Sequence, residues 1–196
     1  MGHNADVVTI VVSGPQATGK TTLALALGRA LAAPVFSRDP LMAVLSGGRD
    51  RRSGLRRDWV HATGLRLQTV LLGRQLDLGQ SAVLECIVLP AVRQQWRAMT
   101  MAAGQPFLSV ECVCTDVAAY RARFEERRGT ARRQAMAWND VLTTIRHYRP
   151  DQDADFVADA MRPVTDLVAD VVSLVSLDRP TDQPGEAGTG HLDAHR

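Results

Sequence analysis

Short, continuous apolar runs alternate along this chain with longer stretches of helical spacing. Val7 to Ser13 is a β-branched run that reads as a strand buried on both faces. Lys20 to Ala32 follows with Leu23, Leu27 and Leu31 on one helical face, and a glycine-containing loop joins the two. Val35 to Ser37 reads as a second strand. Asp39-Pro40 then reads as a helix cap followed by proline at the first helical position, opening a short helix that ends at Gly47-Gly48. Arg49 to Arg57 reads as a charged, glycine-broken loop. Trp59 to Leu78 carries a long apolar helical pattern closed by Gly79, and Ala82 to Val88 reads as a third strand. Pro90 opens a helix with Val92, Trp96 and Met99 on one face, and Phe107 to Cys114 forms a fourth strand. An amphipathic helix from Asp116 to Arg128 leads into the Arg-rich segment Gly129 to Ala137, and a further helix runs from Asn139 to His147. A strand at Phe156 to Ala160 and a Pro163-initiated helix to Leu174 complete the pattern.

Strands that alternate with helices imply right-handed crossovers and a parallel sheet covered on both faces, an α/β class. Ligands of such sheets sit at the carboxyl ends of the strands, here the loops after Ser13, Ser37, Val88 and Cys114. With 196 residues the chain has room for one domain, expected over residues 1–178. Residues 179–196 are rich in Gly, Pro and Asp without periodicity, and are expected to be a disordered tail.

The balance of 45% hydrophobic and 22% charged residues is that of a globular chain rather than a disordered one. A net charge of +2 is too small to indicate a nucleic-acid binder. No apolar run approaches the roughly 18 residues of a membrane span, and Val7 to Val12 lacks the flanks of a signal peptide, so a cytoplasmic location is expected. Cys86, Cys112 and Cys114 sit inside apolar runs, which suits reduced, buried residues better than disulfides or a zinc site.

The sharpest chemical signal is Gly14-Pro15-Gln16-Ala17-Thr18-Gly19-Lys20-Thr21, with Thr22 behind it. It fits GxxxxGK followed by Ser or Thr, directly after a strand and directly before a helix. Glycines let the chain curl so that successive N–H groups face an anion, and the helix adds its positive end. Lys20 would reach the β- and γ-phosphates, and the Thr21 hydroxyl would complete a Mg²⁺ shell. Lys20 is the only lysine in a chain otherwise committed to Arg, which sets this ammonium apart from a general surface charge. No NKxD string supports guanine specificity. Leu45-Ser46-Gly47-Gly48 imitates a transport-ATPase signature but reads as a helix-ending glycine pair.

The order of strand, phosphate loop and helix, followed by FSRDPLMAVL, AVLECIVLPAVRQQW, FLSVECVCTDVAAYRARFEERRGT and ADFVADAMRPV, resembles the small AAA_33-type P-loop kinases. That group is related to the kinase domain of polynucleotide kinase, to chloramphenicol phosphotransferase, gluconate kinase and zeta toxins. The resemblance spans Val7 to Leu174. It implies a three-layer P-loop NTPase fold with a five-stranded parallel sheet in the order 2-3-1-4-5, and an Arg-rich lid. Arg38-Asp39 is similar to the RD that follows the second strand of that family, where the Asp orients or deprotonates the acceptor hydroxyl. Asp before Pro is equally an ordinary helix cap.

Glu85 stands where relatives more often carry Asp, a position implied to serve Mg²⁺ or the acceptor; in so apolar a run its carboxylate needs a partner. Arg93 resembles the Arg of a P-x-x-R setting beside the acceptor, or else is a solvated helix residue. Arg123, Arg127 and Arg128 approach the segment that holds Arg132 and Arg133, and such a cluster can close over the transferred phosphoryl group. Glu125 and Glu126 can equally pair with them on a solvated face. Arg162 matches the place where the fold lays an Arg near adenine.

These signals lead to an ATP- and Mg²⁺-dependent kinase acting on a hydroxyl acceptor, with a small metabolite, nucleoside or antibiotic favoured. The alternatives are a polynucleotide 5′-hydroxyl approached through Arg49 to Arg57, and a regulatory nucleotide-binding ATPase.

Overall fold

A computed structural model describes residues 7–45, 54–128 and 137–177. The strands are β1 (Thr9–Ser13), β2 (Val35–Ser37), β3 (Ala82–Glu85), β4 (Phe107–Val113) and β5 (Phe156–Asp159). They form one parallel, five-stranded sheet in the order β2-β3-β1-β4-β5, the order that the resemblance implies. Because β1 is central and every one of its residues is buried, its sequence is a continuous run rather than an alternation.

Successive β1 side chains pass to opposite faces and enter different cores. Ile10 and Val12 join Leu23, Leu27, Val110 and Val171 under α1 (Lys20–Ala30) and α7 (Val164–Leu177). Val11 joins Leu72, Leu84, Trp96 and Phe107 under α3 (Gly54–Asp77) and α4 (Pro90–Ala102). The fully buried Trp96 satisfies its indole N–H on Thr69 Oγ1 at 2.8 Å. A third, smaller cluster of Ala17, Tyr120, Phe124 and Val141 seats the hairpin of α5 (Val117–Arg128) and α6 (Trp138–His147) against the loop after β1.

Most boundaries shift by a residue or more, and three differences from the sequence reading bear on the site. The strand expected to reach Val88 stops at Glu85, because its neighbours end there: Glu85 faces Val12 of β1 and Ser37 of β2, with only Ser13 of β1 beyond. The expected loop Arg49 to Arg57 is helical from Gly54 onward, since Leu55, Arg56 and Arg57 are good helix formers and the glycine interrupts only the start. Asp39 is in the first turn of α2 (Arg38–Leu45), which begins straight from β2, rather than capping it from outside. The Leu45-Ser46-Gly47-Gly48 string beyond Leu45, the lid residues Arg132 and Arg133, and the tail lie outside the described residues.

A chain of buried polar side chains crosses the α3/α4 face of the sheet. The Tyr148 hydroxyl donates to Glu111 Oε1 at 2.7 Å, and the Asp151 amide donates to Glu111 Oε2 at 3.4 Å. Asp151 accepts the Ser109 hydroxyl at 2.5 Å and pairs with Arg93 Nε at 3.0 Å. Burial pushes the Glu111 carboxyl above its ordinary range, against the pull of the Tyr148 hydroxyl, the Asp151 amide and Arg93.

Removing Asp151 would strand the buried Arg93 charge, so Asp151→Ala is expected to cost about 3–5 kcal/mol in urea unfolding. Glu111 makes a separate prediction. Above the reference carboxyl value of 4.5 and up to its raised value, the folded state holds the Glu111 proton more tightly than the unfolded chain does. Stability therefore falls as pH rises through that window. Unfolding midpoints measured across the window should slope less for Glu111→Gln than for the wild type.

Candidate functional site

The chain leaves β1 at Gly14 with φ 138°, and a Cβ there would sit 2.3 Å from the Cys112 carbonyl oxygen. Only glycine fits so close a backbone approach. Ala17 (φ 62°) and Gly19 (φ 84°) are both left-handed, which curls the intervening amides inward. Gly19 caps α1 without a side-chain hydrogen bond, and the first turn carries no carboxylate. The N-terminal amides of α1 and its positive dipole end are thus left to an external anion.

Lys20 opens α1 and is only 8% exposed. Its Nζ donates to the Pro15 carbonyl at 2.6 Å, and Thr18 Oγ1 donates to the same oxygen at 2.8 Å. Burial lowers the Lys20 pKa, and the carboxylates of Glu85 and, more weakly, Asp39 work in the opposite direction. The ammonium therefore shares its field with the carboxylates that end β3 and begin α2. Three sequence candidates, Lys20, Asp39 and Glu85, converge in this way at the carboxyl ends of β1, β2 and β3.

Arg38 is buried beside them. Its Nη1 donates to the Ile87 carbonyl at 3.0 Å, while its Nε is buried without a hydrogen-bond partner. Gln68 of α3 ties the two strand ends together: its Nε2 donates to the Phe36 carbonyl at 2.6 Å and to the Glu85 carbonyl at 3.2 Å. Cys86 lies among these charges as a neutral thiol, pushed up to about 12 by burial despite the opposing pull of Arg38.

On the α7 side of the loop a cavity of about 260 Å³ opens between Thr18 and Gly19, Thr22 of α1, and the side chains of Arg123 and Arg162. Arg123 Nη2 donates to the Ala160 carbonyl at 2.8 Å, and Arg162 pairs with Asp170 at 2.7 Å. Asp159 anchors the same turn. Slight desolvation opposes its ionisation, but hydrogen bonds from Thr115 and Met161 hold its carboxyl below the ordinary range. Lys20 is not among the cavity walls.

The sequence candidates thus divide between two places. Gly14 to Thr22, Asp39, Glu85 and Arg38 gather around the loop, whereas Arg123 and Arg162 border the cavity. Arg93, expected in solvent or against an acceptor, is buried and engaged with Asp151. The side chains of Arg127 and Arg128 lie outside the described residues. Gln68, Glu111, Tyr120, Tyr148 and Asp151 were not singled out from sequence. Glu111 carried the signal that marked Glu85, a carboxylate inside an apolar strand, and the others carried none.

No protein-family model matches the chain, and no curated protein matches it. Solved structures do. A candidate kinase from Chloroflexus aurantiacus aligns at TM-score 0.70 and 21% identity, over 89% of this chain and 99% of its own. The Mycobacterium tuberculosis APS kinase in complex with AMPPNP and APS aligns at TM-score 0.59 and 21% identity, over 87% and 98%. A gluconokinase from Sinorhizobium meliloti aligns at TM-score 0.58 and 20% identity, over 89% and 94%. The architecture of this chain is the small P-loop kinase fold.

Proposed function

We propose that this protein is an ATP-dependent kinase that moves the γ-phosphoryl group to a hydroxyl of a small molecule. The observation that carries the proposal is the meeting of one desolvated ammonium, Lys20, with two carboxylates, Asp39 and Glu85, beside a loop of inward-curled amides. Phosphoryl transfer needs little covalent chemistry from the protein; it needs positioning and an electrostatic complement to the phosphates.

In this reading the amides from Gly14 to Thr22 and the Lys20 ammonium hold the phosphates. Lys20 would exchange its Pro15 carbonyl for a phosphate oxygen. The nucleoside end takes the cavity between Arg123 and Arg162, which assigns Arg123 to the nucleoside rather than to the transferred group. Arg127 and Arg128, about one turn farther along α5, are left to offset charge on the γ-phosphoryl group. Thr21 and Glu85 would hold Mg²⁺. A hydroxyl and one carboxylate suit an ion whose other ligands are phosphate and water, and when bound it offsets phosphate charge.

Asp39 accepts the proton of the acceptor hydroxyl, and Arg38, next to it in the chain, contacts the acceptor. The buried Arg38 Nε without a partner supports that role. Names of proteins sharing the fold, APS kinase, gluconokinase and shikimate kinase, support a small-molecule acceptor over a macromolecular one.

The test is incubation with γ-labelled ATP and a panel of nucleosides, sugars, antibiotics and 5′-hydroxyl oligonucleotides. Label is expected on a small molecule; label released only to water would favour a regulatory ATPase instead. Asp39→Asn should leave ATP affinity near wild type in calorimetry and slow transfer by about 10²–10⁴-fold. Equal transfer by that variant and the wild type rules out Asp39 as the base. Lys20→Met removes a desolvated charge, so the nucleotide-free protein should melt at a higher temperature while ATP binding is lost.

A further inference from the structure

The chain has two tyrosines; one hydroxyl ends beside the phosphate cradle and the other on its backbone. Tyr148 meets the hydroxyl of Ser13, the last residue of β1, at 3.1 Å. Tyr120, on α5, reaches into the loop itself and donates to the carbonyl of Gln16.

The second contact has a directional consequence. A trans peptide unit places its C=O and its N–H on opposite sides, and no cis peptide bond occurs among the described residues. Drawing the Gln16 oxygen toward α5 therefore turns the next amide, that of Ala17, away from α5. Ala17 holds φ 62°, a left-handed conformation that an alanine does not adopt without support. That support is visible: Ala17 is buried against Tyr120, Phe124 and Val141, and Trp138 packs edge-on to Tyr120 at 5.5 Å between ring centroids. Burial pushes the Tyr120 hydroxyl up to about 12, so it remains a donor at neutral pH.

We infer that Tyr120 is a positioning residue of the phosphate cradle, its hydroxyl fixing the Gln16–Ala17 peptide plane so that the Ala17 N–H faces the bound polyphosphate. The inference rests on reading the loop as a phosphate site, and not on phosphoryl transfer. A wild type that binds nucleotide but labels no acceptor would remove the kinase reading and leave Tyr120 in its role.

The experiment titrates the full chain with inorganic tripolyphosphate by calorimetry, comparing wild type, Tyr120→Phe and Phe124→Leu. Tyr120→Phe keeps the ring and loses only the hydroxyl. It should bind tripolyphosphate about fivefold to tenfold more weakly, the net worth of one hydrogen bond, with a melting temperature near wild type. Phe124→Leu loosens the same apolar cluster but spares the hydroxyl, so it should melt lower and keep wild-type affinity. Equal affinity of Tyr120→Phe and wild type overturns the inference, and so does an equal loss in both variants. A measurement on the wild type alone is independent of how the variants fold. Its Ala17 amide resonance should move when tripolyphosphate is added, and an unmoved resonance, or no binding at all, overturns the inference as well.

Discussion

The close approach of the backbone at Gly14 to the Cys112 carbonyl governs the geometry of the site. A side chain at Gly14 would push β1 from β4 or straighten the loop, since its Cβ would lie 2.3 Å from a main-chain oxygen. Because β1 and β4 remain in register through Ser13 and Glu111, the chain must turn sharply as it leaves the sheet. That turn delivers Lys20 to the mouth of the sheet, where Glu85 arrives at the end of β3 and Asp39 just beyond β2. The parallel topology does the rest: every strand ends on the same side, so residues far apart in the chain gather at one edge.

The electrostatics of this edge divide into two systems with different tasks. Around Lys20 two buried charges are only partly held by the protein: an ammonium resting on a carbonyl and a guanidinium whose Nε has no partner. Such groups cost stability and suit a site that waits for a ligand. Behind it, Glu111, Tyr148, Asp151, Arg93 and Ser109 satisfy one another in a connected chain. A connected network of that kind holds the strands and the segment after α6 in one arrangement rather than binding something new. Arg93 belongs to this second system, which explains why it is buried although it sits near the start of a surface helix.

Reading the sequence was most reliable where one local signal decides the outcome. GxxxxGK between a strand and a helix located the loop, and apolar runs located all five strands. It was less reliable at boundaries set by partners. The run Ala82 to Val88 is uniform in sequence, and β3 ends at Glu85 because the adjacent strands offer almost nothing farther on. Arg123 looked like one member of a lid cluster, yet its guanidinium is claimed by the Ala160 carbonyl, a residue 37 positions away. Gln68 and the two tyrosines gave no sequence signal, because amide and phenol side chains acquire their roles only from the carbonyls and hydroxyls they meet.

The amino-acid order by itself determined the fold class and the place of the glycine loop after β1, since both follow from near-neighbour periodicity and from the backbone freedom of glycine. Tertiary structure alone decided which charges share a field, which polar groups are paired and which side of the loop is hollow. The physical reason is range. Helix, strand and turn preferences act over a few residues, whereas desolvation and hydrogen-bond pairing depend on chain segments that only the completed sheet brings together.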